Sequence, residues 1–585
     1  MTNTATYITD HLDTWSSAIK AKSSAGRGSG KKQEFYGVKK LRELILELAV
    51  RGLLVPQDPT DEPASELLKR IKAEKAKLIK EGKIPKEKTL SPISTDEIPF
   101  EQPPGWAFTR IGDLVSKLGS GSTPRGGERA YVENGIIFLR SQNIRNEGLE
   151  LSDTAYISEE THKVMLNTQV QPRDVLLNIT GASLGRSTIF PKELGTANVS
   201  QHVTIIRLVE TKMCEFVHLG ILSPLVQKLV WGRQVGMAIG GLSKKVLEQF
   251  EFPIPPLAEQ HRIVAKVDEL TALCDQLEQK QEDSVQTHST LVQTLLGALT
   301  TSSDYAHFQQ AWQRIASHFD TLFSTESSID QLKQTILQLG VMGKLVEQDP
   351  TDEPASELLK KINSEKVRMA KAGLIKRQKP FEPVIRADEP YPLPKSWQWF
   401  RLGATGIGAT GKTPKTGDAS CFGGEIEFIG PGQITPTGQL LKSEKMLTED
   451  GIKDSTEGIS GDILMVCIGG SIGKSVVANR RIAFNQQINS IRPIHIGSDY
   501  LNTAVSTNRF YKSVLEASTG SATPIINRSK WEELLVPIPP AAEQQRIIGK
   551  VDELMILCDR LKANLQSAQT TQLQLADTFV EQAVM

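Results

Sequence analysis

The stretch QDPTDEPASELLK at Gln57–Lys69 returns letter for letter at Gln348–Lys360, and no other feature constrains the fold as strongly. A second block, PIPPLAEQHRIVAKVDELTALCDQL at Pro253–Leu277, returns as PIPPAAEQQRIIGKVDELMILCDRL at Pro537–Leu561. LRELILELAVRG at Leu41–Gly52 likewise pairs with LKQTILQLGVMG at Leu332–Gly343, each an amphipathic helix closed by glycine. A chain written twice folds as two copies of one frame. The residues between the repeated blocks are far less alike, so one frame carries two different inserts. This predicts a helical region with a basic arm at 1–104, a first insert domain at 105–252 and a helical spacer at 253–392. A second insert domain follows at 393–536 and a heptad helix at 537–585.

Net charge is zero, from 68 basic and 68 acidic residues, but the charges are segregated. Lys69–Lys88 holds nine basic and three acidic residues, Lys360–Lys379 eight and one, and Pro253–Asp304 three and eight. Basic arms suit phosphates, and acidic helices suit protein contact. Ile547, Val551, Leu554, Cys558, Leu561, Leu565, Ala568, Gln572, Leu575 and Phe579 step by four and three as a heptad seam. The first copy begins in the same way at Ile263 and weakens at Gln281, Ser284 and His288. Such helices, ~60 Å long at ~1.5 Å per residue, would pair and hold the inserts apart. Tyr305–Phe323 reads as one further amphipathic helix through Phe308, Trp312, Ile315, Phe319 and Leu322. Lys20–Lys32, rich in Ser, Gly and Lys, reads as a flexible loop. Five scattered cysteines without C-x-x-C spacing, no signal-peptide core and no long apolar run predict a cytoplasmic protein with no membrane span and no metal site.

Short β-type runs at Ile136, Asp174, Ile426 and Asp462 place mixed α/β structure in the inserts. Gly/Ser/Thr loops between them let a backbone approach phosphate, with Arg125, Arg186, Lys412, Lys415 and Lys474 as charges and Lys244, Lys245, Arg528 and Lys530 as further contacts. Arg140, Gln142, Asn143, Gln201 and His202 are candidate base readers, replaced in the second copy by Gln433, Gln486 and Gln487. Arginine suits guanine and Asn or Gln suits adenine, so different letters would read different bases. GIGATGKT at Gly406–Thr413 fits a phosphate-binding loop pattern, but Pro414 follows where that loop requires a helix. No catalytic constellation is present. Among the repeated letters, Asp58, Asp61, Glu62 and Glu66 equal Asp349, Asp352, Glu353 and Glu357. Their acidity predicts exposed residues that grip a partner on both copies, unless recent duplication alone preserved them.

The PIPPLAEQ and PIPPAAEQ junctions, the two heptad-like helices and the two diverged inserts resemble the specificity (S) subunit of type I restriction-modification systems, over nearly the whole chain. The resemblance implies a non-catalytic subunit that reads a bipartite, asymmetric site in double-stranded DNA. It also implies two methyltransferase (M) subunits carrying S-adenosylmethionine, and restriction (R) subunits that use ATP and Mg. From the residues alone, a free-standing DNA-binding regulator or bridging protein with two reading heads is the alternative.

Overall fold

The structure is a computed structural model that describes residues 8, 10–21, 33–86, 88–234, 240–302, 305–377, 379–520 and 522–584. The chain divides into two compact units, residues 1–284 with 568–585 and residues 285–567. The boundary falls inside both long helices, Leu257–Thr301 and Ala541–Val584, so each helix has residues in both units.

In each unit the two repeated blocks dock on each other. The helix Tyr36–Val50 ends at Gly52, whose φ of +71° lets Leu53 N–H reach back to Leu48 O. A Cβ at Gly52 would lie 2.9 Å from the Trp106 ring, and Gly343, at φ +70°, faces Trp397 in the same way. The Trp106 indole N–H donates to buried Glu259 Oε1 (3.1 Å), and Gln57 Nε2 donates to the same oxygen (3.4 Å). Arg262 then pairs with Asp61 at 2.6 Å. The second unit repeats the set with Trp397 and Gln348 on Glu543, and Arg546 on Asp352 at 2.5 Å. The Asp61 and Asp352 side chains are therefore only 10% and 8% exposed. This corrects the expectation that all eight repeated acids face a partner: these two are held by arginines of the PIPP blocks, so the two repeated blocks of each unit meet at these letters.

From these junctions the basic helices Ala64–Lys80 and Ala355–Lys371 set off. Their first amides donate to Gly105 O (2.8 Å) and Ser396 O (2.9 Å), at the start of each insert. Each insert is closed by an antiparallel ribbon of its incoming and outgoing strands, Ala107–Arg110 with Glu251–Ile254 and Gln398–Arg401 with Leu535–Ile538. Buried Arg110 clamps the first ribbon, pairing with Glu251 at 2.5 Å and Glu97 at 2.8 Å.

Two main sheets fill each insert, and the first adds a small ribbon of Ile144–Arg145 with Gly148–Leu149. In the first, four antiparallel strands run Ser187–Ile189, Val175–Asn178, Val203–Leu208, Val115–Ser120. Beside them, five run Gln169–Val170, Ala197–Val199, Ile136–Leu139, Ala155–Ile157, Tyr131–Val132. In the second, Gly406–Thr410, Ile488–Pro493, Ile463–Val466 and Ser475–Val477 form the antiparallel sheet. Met446–Leu447, Phe422–Ile429, Ile482–Phe484 and Thr456–Gly458 form the mixed one. One parallel pair recurs at the same place, Ala197–Val199 with Ile136–Leu139 and Ile482–Phe484 with Phe422–Ile429. Apart from the extra edge strand Tyr131–Val132 in the first, the diverged inserts thus share the strand order of their two main sheets, and the fold is mixed α/β, as expected.

Two helical expectations need correction. The heptad seam placed Leu575 inward, but Leu575 is 44% exposed and Ala576 is buried. A straight helix drifts from a strict seven-residue repeat, so the seam moves by one position over its length. Tyr305–Phe323 is also two helices, Tyr305–Ser317 and Phe319–Leu322, broken at His318, and Trp312 faces outward. Of the Lys20–Lys32 loop, 22–32 lie outside the described residues; Lys20–Ala21 and Gln33–Glu34 pair as its two ends.

His218, on the helix Cys214–Leu222, sits 3.2 Å from Ser187 Oγ, and burial pulls its imidazole down to about 4. Below the ordinary value of 6.5 the unfolded chain takes up a proton that the folded chain refuses. Stability from this group is therefore complete above that value and is lost as pH falls toward 4, by about 3 kcal/mol. Asn502 holds the corresponding place in the second unit. We expect His218→Asn to flatten the loss between those pH values in melts of the full chain; an unchanged pH profile would contradict this.

Candidate nucleic-acid interface

Sheet pairing gathers loops that are far apart in sequence. The strand Val115–Ser120 runs into Gly121–Arg125, where Gly121 and Ser122 N–H donate to Val203 O (3.0 Å) and Val199 O (3.2 Å). This sets the turn beside Ser200–His202, and the Thr123 hydroxyl donates to Gln201 Oε1. Ser200 N–H donates to Leu139 O (2.9 Å), and Asn178 Nδ2 to Ser141 O (2.8 Å), which bring in Arg140–Asn143. Ile179 N–H donates to His202 O (3.0 Å), with Thr180 Oγ1 2.6 Å from His202 Nδ1. Leu242 N–H donates to Ile179 O (2.8 Å), adding the turn before Lys244 and Lys245. Five loops thus meet at one end of the sheets.

The second insert repeats the scheme. Gly411 and Lys412 N–H donate to Ile488 O (2.9 Å) and Phe484 O (3.1 Å), and Thr413 Oγ1 to Gln486 Oε1 (2.5 Å). Asn485 N–H reaches Ile429 O (3.0 Å), Cys467 N–H reaches Gln487 O (2.8 Å), and Ile526 N–H reaches Cys467 O (3.0 Å). Asn527 caps the short helix that carries Arg528 and Lys530.

Within the first cluster Arg125, Gln142, Gln201, His202, Lys244 and Lys245 are exposed, and Arg140 and Arg186 are half-buried. In the second, Lys412, Lys415, Gln486, Arg528 and Lys530 are exposed, and Gln433, Lys474 and Gln487 are half-buried. Such surfaces offer amide and guanidinium groups to base edges and lysines to phosphates.

Asn143 is a correction. It is buried, its Oδ1 accepts from Arg140 N–H (2.9 Å), and its Nδ2 donates to Glu150 O (2.8 Å) and Asp153 O (3.0 Å). Gln433 closes the equivalent turn by accepting from Gly430 N–H (3.0 Å). Asn143 thus shapes its loop rather than facing a ligand, whereas half-buried Gln433 spends only its Oε1 on the turn. Arg140 and Gln142 meet Asp153, which tethers them to the same turn. Thr123 and Thr413 were missed; the shared Thr-Pro-Arg/Lys at 123–125 and 413–415 is the signal that would have found them.

Gly406–Thr410 is a strand paired with Asn489–Pro493, and the Lys412 ammonium lies 3.8 Å from Asp454. The helix a nucleotide-binding loop would need does not follow. Among the described residues no group of three His, Cys, Asp or Glu has metal-binding geometry, and no single helix is long and apolar enough to cross a membrane.

The remaining repeated acids lie at the surface near the junctions. Thr60, through hydroxyl and amide, holds the Asp58 carboxyl below its usual range, and Thr351 does so for Asp349. Glu62 pairs with Arg70, Glu66 with Lys69 (2.7 Å), Glu353 with Lys361 (2.7 Å) and Glu357 with Lys360 (2.7 Å). These exposed pairs are worth little to stability.

Comparison with known proteins agrees with this layout. Residues 103–287 and 394–568 match the type I restriction modification DNA specificity domain. The chain is 37% identical to the type I restriction enzyme EcoAI specificity subunit of Escherichia coli, and 38% identical to the EcoEI specificity subunit of the same organism, covering 99% of both chains each time. It is also similar to the HsdS subunit of Thermoanaerobacter tengcongensis, at 17% identity and a TM-score of 0.40, covering 83% of this chain and 98% of that one. With the family matched in both halves and relatives aligned end to end, the chain belongs to the type I restriction-modification specificity subunits and is a non-catalytic DNA specificity subunit.

Proposed function

We propose that each loop cluster reads one half of a split, asymmetric site in double-stranded DNA, with residues 105–252 and 393–536 as the two modular recognition domains. The observation that carries this is the matched scaffold with unmatched side chains: the same turns present Arg125, Arg140, Arg186, Gln201 and His202 in one half, and Lys415, Gly430, Lys474, Gln486 and Gln487 in the other. Equivalent placement gives equivalent approach to the groove, and different side chains give different bases. The chain acts in the cytoplasm within a complex of two methyltransferase subunits, which carry S-adenosylmethionine, and restriction subunits that use ATP and Mg. Mapping the adenines methylated in cells that carry this subunit tests the reading. A two-part motif with an unread middle supports it, and one contiguous motif overturns it.

The partner contact is the exposed acidic edge at Glu62, Glu66, Glu353 and Glu357. Because Asp61 and Asp352 are engaged internally, Glu62→Lys with Glu353→Lys is the clean test. We expect weaker co-sedimentation with the methyltransferase subunit and a melting temperature close to wild type, since surface changes cost within about 0.5 kcal/mol. Full assembly would return the repeated acids to the internal docking of the two blocks.

A further inference from the structure

Beside each loop cluster, a glycine in the left-handed region precedes a basic residue: Gly185 (φ +84°) before Arg186, and Gly473 (φ +86°) before Lys474. In both cases a helix side chain sits where a Cβ would be. Gln227 Oε1 would meet it at 2.4 Å in the first half, and Tyr511 Cδ2 at 2.4 Å in the second. Gln227, on the helix Pro224–Gly232, donates to Gly185 O (2.9 Å) and accepts from the Trp231 indole N–H (3.3 Å). The amide docked on the glycine therefore also orients the indole. Tyr511, on the helix Asn508–Ala517, docks its own ring on the glycine.

Trp231 remains 51% exposed and Tyr511 41%. Exposed Lys228 and Lys512 follow the two docked residues on the same helices. The two rings do not occupy equivalent positions. Ser223 and Thr507 cap the two helices, so Tyr511 corresponds to Gln227, and Trp231 lies one turn further on, where the second half has Leu515. Each half thus sets an aromatic ring, from a different helix position, next to the residues packed on the equivalent glycine.

We infer that Trp231 and Tyr511 are duplex-DNA contact residues, packing on the sugar-phosphate backbone at the flank of each cluster while the neighbouring cations meet phosphates, a role that rests on the loops reading DNA as proposed. A flat ring suits the face of a deoxyribose, and backbone contacts fix register without carrying sequence information. The full chain, reconstituted with its methyltransferase subunit, is titrated with a duplex carrying the mapped site and with one in which that site is scrambled. Trp231→Ala and Tyr511→Ala each weaken both duplexes by the same factor, about five- to tenfold from the strength of ring packing. Trp231→Phe restores most of the loss, and the salt dependence is unchanged because no charge is removed. Unaltered affinity overturns the inference, as does a loss confined to the mapped site, which would make the rings base readers. Failure of the Ala variants to assemble with the methyltransferase subunit overturns it in favour of a protein contact. Gln201→Ala separates the two levels: if it leaves discrimination between the duplexes intact, the DNA-reading assignment of the loops fails, whatever the rings do.

Discussion

Replacing residues 105–252 with the corresponding segment of a relative changes one half of the methylated sequence and leaves the other half and the spacing intact. The expectation follows from how the insert is attached. Its first and last strands pair with each other, Glu251 opposite Arg110 and Phe252 opposite Thr109, so the segment leaves and rejoins the frame at one place. The loops at its far end reach that frame through the sheets and through the helix Pro224–Gly232, where Gln227 holds Gly185 O (2.9 Å) and Leu225 N–H donates to Glu47 of the frame (2.9 Å). Arg110 and Glu251 are buried together and travel together in the exchange, while Glu97, outside the exchanged segment and 32% exposed, completes the pairing. A donor that carries the arginine and the glutamate as a pair keeps every buried charge there matched. With that arginine kept, methylation mapping of the exchanged chain decides. If both halves of the site change together, the two clusters form one composite surface.

Glu259→Ala destabilises the first unit by ~1–3 kcal/mol, because it orphans one buried donor, Trp106 Nε1, whereas half-buried Gln57 Nε2 keeps its bond to Gly52 O (2.6 Å). Glu259→Gln keeps the oxygen that accepts both, and we expect it within ~1 kcal/mol of wild type. The pair of variants also carries a pH signature. Burial raises the Glu259 carboxyl above its ordinary 4.5, against the opposing hydrogen bonds from Trp106 and Gln57. The folded chain therefore holds a proton that the unfolded chain has released, and stability falls as pH rises from the ordinary value through the raised one. Gln lacks this step. Melts of the full chain as a function of pH check both points, and an Ala variant as stable as wild type would dismiss the junction as a keystone.

Much of this architecture is legible in the letters, because a duplication displays its own frame. Strand runs such as DVLLNITG at Asp174 and DILMVCIGG at Asp462 declare themselves by hydrophobic pattern, and the strands Val175–Asn178 and Ile463–Val466 lie within them. What hides is which surface each identical residue faces. QDPTDEP reads as an exposed acidic patch, and only the fold shows Asp61 beneath Arg262, some two hundred residues away in the chain. Asn143 and Gln142 are adjacent polar letters, yet a turn buries one and exposes the other. Thr123 and Gln201 could not be joined from sequence, since their meeting depends on Val199 and Val203 lying beside Gly121 and Ser122.

The division of the long helices sets an order of events during synthesis. The first unit contains residues 568–585, where Ala576 is fully buried, Asp577 accepts from the Tyr36 hydroxyl (2.7 Å) and the Phe579 ring stacks on His11 at 4.3 Å. A ribosome adding ~5–20 residues per second needs roughly 15 to 60 seconds to travel from the end of the first stretch to the start of the last. Throughout that interval the unit begun first stands open along the strip that His11, Trp15 and Tyr36 later cover with the terminal helix. The second unit, whose residues are contiguous, has all of its sequence before the first does. A nascent or prematurely terminated chain therefore exposes an apolar seam in its oldest part, the surface that chaperones hold and proteases find.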